Sequence, residues 1–225
     1  MASRIIHLAA AHELAGALAV KDKERFYFGH LLPDMITGGY EERLRRKKLT
    51  HFYTLLENGR KTYDFYRFCE DYKDRLSDGL YLGYYVHLIE DDIFRQYLYY
   101  RVGLLKRRGE PELLDELYAD YHLLNPVLCK KYGLTIPKTP DGLEAEAIFT
   151  RFDFDMTPWL EDMRADLCEA PEGTLRHFTL PLINEYINEC REVICMEVSS
   201  LRNGSHHLQP DDYSIENYYK GELRK

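Results

Sequence analysis

The sequence predicts an all-α protein, a single-domain bundle of several helices. Three observations carry this reading. Apolar residues recur at spacings of three and four over most of the chain, the period of an amphipathic helix. No segment shows the alternation of a strand, and no repeat or low-complexity block interrupts the pattern. At 225 residues, 45% hydrophobic and 30% charged, the chain has the balance of a soluble globular protein and is long enough for one sizeable core.

The elements follow in order. Ser3 is a suitable N-cap for a first helix running to about Val20, whose alanines allow close packing. A short helix or turn covers 23–31 and ends at Pro33, and Gly38-Gly39 breaks the chain again. A charged segment from Glu41 to Lys48 leads to Thr50, placed to cap a helix that starts at His51 and is interrupted at Gly59. The next helix covers Thr62 to about Leu76, and Asp78-Gly79 marks a turn. The clearest long helix runs from about Leu80 to Leu105. Another, Pro111 to Tyr132, has proline in its first turn and Gly133 after its last, with a kink or break expected at Pro126. Leu134 to Asp141 reads as a loop, 143–152 and 157–168 as shorter helices, and 174–201 as a last helix with a bend or its true start at Pro181. Residues 1–202 thus form one helical, metal-binding domain. Residues 203–225 lose the periodicity and read as a polar C-terminal tail, either disordered or laid over the body.

Charge and composition exclude several functions. The net charge of −8 leaves no electrostatic footprint for nucleic acid or anionic membrane. The basic run Arg43, Arg45, Arg46, Lys47, Lys48 reads as a solvated helix face. No stretch approaches the ~18 apolar residues of a transmembrane segment. The opening residues do not read as a signal peptide, so a cytoplasmic location is expected. The five cysteines form no Cys-x-x-Cys pair and read as buried, reduced thiols. The 19 tyrosines read as helix-packing residues whose hydroxyls reach partners or water.

Chemistry concentrates in histidines and aspartates of the first half. Stepping along the long helix by four and three gives Leu80, Tyr84, His87, Asp91, Phe94, Leu98. His87 and Asp91 interrupt an apolar stripe, and a buried carboxylate without a partner would cost several kcal/mol. Two readings meet that demand: a His–Asp hydrogen bond orienting the core, or a ligand pair one helical turn apart on a divalent ion. His7 opens a similar stripe with Ala11, Leu14 and Leu18. Asp34 follows Pro33, and His51 follows Thr50. His30 precedes Asp34 by four, but Pro33 argues against a shared helical face. His12 and Glu13 lie on other faces.

These segments resemble the zinc-dependent phospholipase C family, whose wider group includes single-strand-specific nucleases. The matching parts are His7-Leu-Ala-Ala-Ala11-His-Glu-Leu14, Phe28-Gly-His30-Leu-Leu-Pro33-Asp34, Thr50-His51-Phe52, and Tyr81-Leu-Gly83-Tyr-Tyr-Val-His87-Leu-Ile-Glu90-Asp91. They cover about the first 100 residues. The resemblance implies a helical bundle of the phospholipase C and nuclease type. It also implies a metal held by Asp34, His51, His87 and Asp91, with His7 at a neighbouring metal and Asp91 able to bridge. The departures lie downstream. No His-x-x-x-Glu occurs, Tyr97 stands where the family has another histidine, and His122, His177, Glu185 and Glu189 are only vague substitutes. The family's mature N-terminal amine near the cluster has no expected counterpart in Met1 or Ala2. The expectation is therefore one Zn2+ or other divalent ion, with two as the upper case.

The expected function is a metal-dependent hydrolase of phosphoric esters acting on a small phosphoester or phospholipid-like substrate, with a metal-activated water as nucleophile. Asp34 is the first candidate for the catalytic general base and Asp91 the second. The alternative is a non-catalytic helical protein with a structural or vestigial metal site. A helical phosphohydrolase of the His…His-Asp…Asp type requires an adjacent His-Asp pair, and the sequence has none.

Overall fold

The long apolar helix becomes the axis of the molecule. In the computed structural model, which describes residues 2–168 and 171–216, α5 spans Gly79–Gln96 and every residue from Gly79 to Arg95 is buried. A helix buried on all sides needs its hydroxyls satisfied. Tyr84 Oη donates to Thr50 O (2.5 Å), Tyr85 Oη to Glu197 Oε1 (2.7 Å) and Tyr81 Oη to Glu146 Oε2 (3.1 Å).

Eight further α-helices are described: α1 Arg4–Ala17, α2 Lys23–Leu31, α3 Tyr40–Thr50, α4 Phe65–Tyr72, α6 Pro111–Tyr132, α7 Ala147–Arg151, α8 Met156–Cys168 and α9 Leu180–Arg202. α5 packs on α2, α9, α4 and α1, and α1 also meets α2, α6 and α9. Ser3 caps α1 through Ile6 N, and Thr179 caps α9 through Leu182 N with Pro181 in the first turn. α6 begins and ends at the expected residues, with Gly133 left-handed at φ 62°. Pro126 stays inside a helix that continues through it. Among the described residues no helix is long and apolar enough to cross a membrane.

The protein is mostly helical, not wholly so. In a three-stranded antiparallel sheet, β1 Tyr53–Leu55 and β2 Arg60–Tyr63 stand where a helix from His51 and the start of one at Thr62 were expected, and β3 Ile215–Glu216 comes from the expected tail. The register pairs Tyr53 with Tyr63 and Lys61 with Ile215. Strands of two to four residues are too short for alternation to show. Their turn was visible, however: Asn58-Gly59 is a hairpin pair, with Gly59 at φ 78° and its N–H donating to Leu56 O (2.9 Å).

The charged segment 41–48 lies within α3. Glu41 and Glu42 in its first turn and Lys47 and Lys48 in its last suit the helix dipole. His51 therefore ends a helix instead of starting one. The long helix gives way at Tyr97 to a single π turn, Tyr97–Arg101, short of the expected Leu105. The cysteines are all free, but only Cys69 and Cys190 are buried, and Cys168 is exposed.

Residues 203–216 lie over the body. The fully buried Glu197 accepts from His206 Nδ1 and from the backbone N–H of His207 and Leu208, at 2.7–2.8 Å. The rest of the expected tail, 217–225, lies outside the described residues.

Three contacts set up the site. Gly29, Gly79 and Gly83 let the backbones of α2 and α5 touch, since a Cβ on any of them would stand under 3 Å from backbone of the facing segment. Asp92 binds the hairpin to α5 through Thr62 Oγ1 (2.6 Å) and Tyr63 N (3.2 Å). Asp155 holds the chain after Asp34, accepting from Thr37 N (2.6 Å) and Arg46 Nη1 (2.6 Å).

Candidate metal centre

Each candidate side chain arrives from its own element. His7 comes from α1 and His51 from the C-cap of α3. Asp34 ends the 3-10 turn Leu32–Asp34, which Pro33 initiates as α2 stops. His87 and Asp91 come from α5. Phe52, directly after His51, takes a left-handed φ of 50°, a conformation that costs a non-glycine residue of the order of 1–2 kcal/mol. Its ring is buried against Phe68 and Tyr84, which holds that turn in place.

The histidine tautomers follow from what lies behind each ring. His87 Nδ1 donates to His30 O (2.8 Å) and His51 Nδ1 to Lys47 O (3.0 Å). A carbonyl only accepts, so each Nδ1 carries a proton and each Nε2 faces forward. The two Nε2 atoms stand 3.2 Å apart. His51 Nε2 is also 3.4 Å from Asp34 Oδ1 and 3.4 Å from Asp91 Oδ2, and His87 Nε2 is 3.9 Å from Asp91 Oδ2. Two imidazoles and two carboxylates converging in a buried space need positive charge beside them, which a histidine proton, Lys47 or a bound cation can supply.

His7 approaches from the other side. Its Nε2 lies 3.2 Å from Asp91 Oδ1, and its ring stacks on His87 with centroids 4.0 Å apart. Asp91 thus faces His7 with one oxygen and His51 and His87 with the other. The ligand atoms of His7, His87 and Asp91 lie within 4.8 Å of one another, as do those of Asp34, His51 and His87. The structure brings all five sequence-derived residues together.

Sequence reasoning missed three neighbours. Glu90 Oε2 lies 2.8 Å from His7 Nδ1 and 2.9 Å from His30 Nε2, and Lys47 Nζ lies 2.7 Å from Asp34 Oδ1. The spacing of Glu90, three after His87, was the available clue. His30 and Asp34 indeed turn to different neighbours. Ala2, set aside from sequence, donates its backbone N–H to Asp91 Oδ1 (3.2 Å); Met1 lies outside the described residues. The vague substitutes are engaged elsewhere: His177 with Glu116, Glu185 with Arg101 and Glu189 with Tyr97. His122 lines the adjoining cleft.

That cleft, of about 380 Å³, reaches Asp34 and Ala2. Arg4, Arg43 and Lys47 line it, as do Tyr99, Tyr118 and Trp159. A larger cavity of about 570 Å³ lies between the end of α1, the start of α5 and α9, and contains none of the candidate residues.

The electrostatics fit a cation. Burial pushes Asp34 and Asp91 upward, but Lys47 and His51 for Asp34, and His51 and His7 for Asp91, hold both well below the carboxylate range. Burial likewise opposes Glu90, which His30 and His7 hold low. Burial and the charge of His7 keep His87 far below 6.5, hence neutral and able to ligate. Burial depresses His7 as well, but Asp91 and Glu90 outweigh it and raise it to about 9.

These shifts define a pH window for the metal-free protein. The contribution of His7 is complete below its ordinary 6.5 and is lost as pH rises through about 9. The depressed groups, His87 and the carboxylates, act in the opposite sense: their contribution is present above their ordinary values and lost as pH falls. Chelator-treated protein is therefore expected to melt highest near pH 6.5 and lower on both sides. Zinc, replacing the His7 proton, is expected to remove the alkaline decline. Thermal melts across the pH range with and without zinc check this, and an alkaline limb that zinc does not alter would count against His7 as a ligand.

Comparison with family models, curated proteins and solved structures finds no match for this chain.

Proposed function

We propose that the protein is a metal-dependent phosphoric-ester hydrolase of the zinc phospholipase C and nuclease type. The observation that carries this reading is the facing pair of buried His51 and His87 Nε2 atoms, flanked by Asp91 and by Asp34, which lines a cleft. The donor set, two imidazoles and two carboxylates, suits zinc. A bound divalent ion supplies Lewis acidity and a water acidified towards neutrality. The mostly helical architecture and the order His7, Asp34, His51, His87-x-x-x-Asp91 support the family type.

The protein's own groups divide the remaining work. Asp91 is fully buried, accepts from Ala2 N on Oδ1 and turns an Oδ2 without a hydrogen bond toward His51 and His87, so it would be a ligand to a bound ion. Asp34 is the carboxylate of the set that lines the cleft, held ionised by Lys47, and it would be the group to accept a proton there. Arg43 and Lys47, on the same wall, favour a phosphoryl group over a neutral ester.

The test is metal analysis of the purified full chain with assays on nitrophenyl phosphomonoesters and phosphodiesters. Retained zinc, and hydrolysis that a chelator abolishes and zinc restores, are expected. Hydrolysis indifferent to chelator, or a chain that binds no divalent ion, would sink the proposal. The complete burial of His7, His87 and Asp91 favours a second reading, a closed structural site. Tight zinc that raises thermal stability without any hydrolysis would select it.

A further inference from the structure

The rear nitrogen of His7 meets a carboxylate, whereas those of His51 and His87 meet backbone carbonyls, with Thr50 Oγ1 also 3.0 Å from His51 Nδ1. Behind it Glu90 Oε2 accepts from His7 Nδ1 (2.8 Å) and from His30 Nε2 (2.9 Å), and all three side chains are fully buried. Glu90 Oε1 and His30 Nδ1 make no hydrogen bond. An imidazole nitrogen that donates has no lone pair for an ion. His7 Nδ1 and His30 Nε2 are therefore withdrawn from ligation. An ion held directly by His7, His30 and Glu90 would have to break both hydrogen bonds. His7 is left with Nε2, the atom 3.2 Å from Asp91 Oδ1.

We propose that Glu90 and His30 are positioning residues that fix His7 with its proton on Nδ1, so that its Nε2 is turned to Asp91 Oδ1, where the resemblance already implies a neighbouring cation. The proposal rests on the metal reading above. His30 serves both positions: its ring holds Glu90, and its carbonyl fixes the His87 tautomer at 2.8 Å. The close approach of α2 and α5 at Gly29 and Gly83 makes this double role possible. A carboxylate behind a ligating histidine orients the ring and raises its basicity, and its loss typically weakens metal binding 10–100-fold.

The experiment is zinc titration against a competing chelator for the wild type, Glu90→Leu and Glu90→Gln. It is paired with nitrogen-15 spectra of histidine-labelled protein that read the slowly exchanging His7 Nδ1–H. In Glu90→Leu the second zinc is expected to weaken about 10–100-fold while the first stays within about threefold, and the Nδ1–H signal is lost. Glu90→Gln keeps an acceptor for His7 and is expected to restore most of the second affinity and the signal, even if Glu90→Leu does not fold. The proposal is overturned if folded Glu90→Leu binds two zinc ions as the wild type does, or if folded Glu90→Gln loses the second ion. It is also overturned if both zinc steps fall together in a folded variant, if the wild type takes up a single ion only, or if zinc is found ligated by Glu90. A wild type that binds no ion overturns the metal reading itself, an outcome separate from all of these.

Discussion

Replacing His87 by alanine is expected to strip the protein of zinc and reduce phosphoester hydrolysis at least about a thousandfold, roughly 4 kcal/mol of transition-state stabilisation. His87 has this weight because its Nε2 belongs to both groupings, the one with Asp34 and His51 and the one with His7 and Asp91. Without it each of these groupings keeps two donors, and the four-donor set of the proposed site loses one of its two imidazoles. The substitution also leaves His30 O without its donor and opens a cavity on a fully buried helix, so some loss of stability, of the order of 1–3 kcal/mol, accompanies it. The two effects separate experimentally. Helical content by circular dichroism should persist while zinc content and rate collapse. His12→Ala is the control: its ring stacks on Tyr27 at 4.4 Å and belongs to none of the metal-competent groups. A folded His87→Ala protein with full zinc content and an unaltered rate would remove the basis of the proposed function.

How much of this was legible in the sequence depended on how local the cause was. α6 was readable to the residue because its ends carry explicit chemistry, Pro111 in the first turn and Gly133 in a left-handed C-cap. His87 and Asp91 were readable because charge interrupting an apolar stripe demands a partner. Glu90 escaped the same argument. A single stripe assumes one buried face, whereas α5 is buried on every face, so a polar residue on any of them is equally anomalous. His30 was discounted through Pro33, correctly for a shared face with Asp34 but wrongly for the site, because α2 delivers it to a residue 60 positions away. The hairpin was hidden by strands too short to alternate, although Asn58-Gly59 announced its turn. The role of Lys47 depends on a turn of helix ending where it does, which no periodicity reports.

Gly83→Ala is expected to disturb the fold more than the loss of any ligand. A Cβ there would stand 2.2 Å from Phe26 O and 2.8 Å from His30 N, both backbone atoms of α2 that cannot rotate aside. The helices must separate, and separation breaks more than packing. It draws the His30 carbonyl off His87 Nδ1 and the His30 ring off Glu90, so both tautomers that shape the centre are released together. Overpacking a core typically costs 1–3 kcal/mol and occasionally more. With two backbone clashes in the central helix pair, a loss of about 4 kcal/mol or more is expected, a large share of the stability of an ordinary domain. Gly16→Ala provides the contrast: this exposed position in α1 has no atom within 4 Å of the added carbon and should gain about 0.5–1 kcal/mol from helix propensity. Urea unfolding of the two variants reads both. If Gly83→Ala unfolds at the wild-type midpoint and keeps its zinc, the close contact of α2 and α5 is not what holds the centre together.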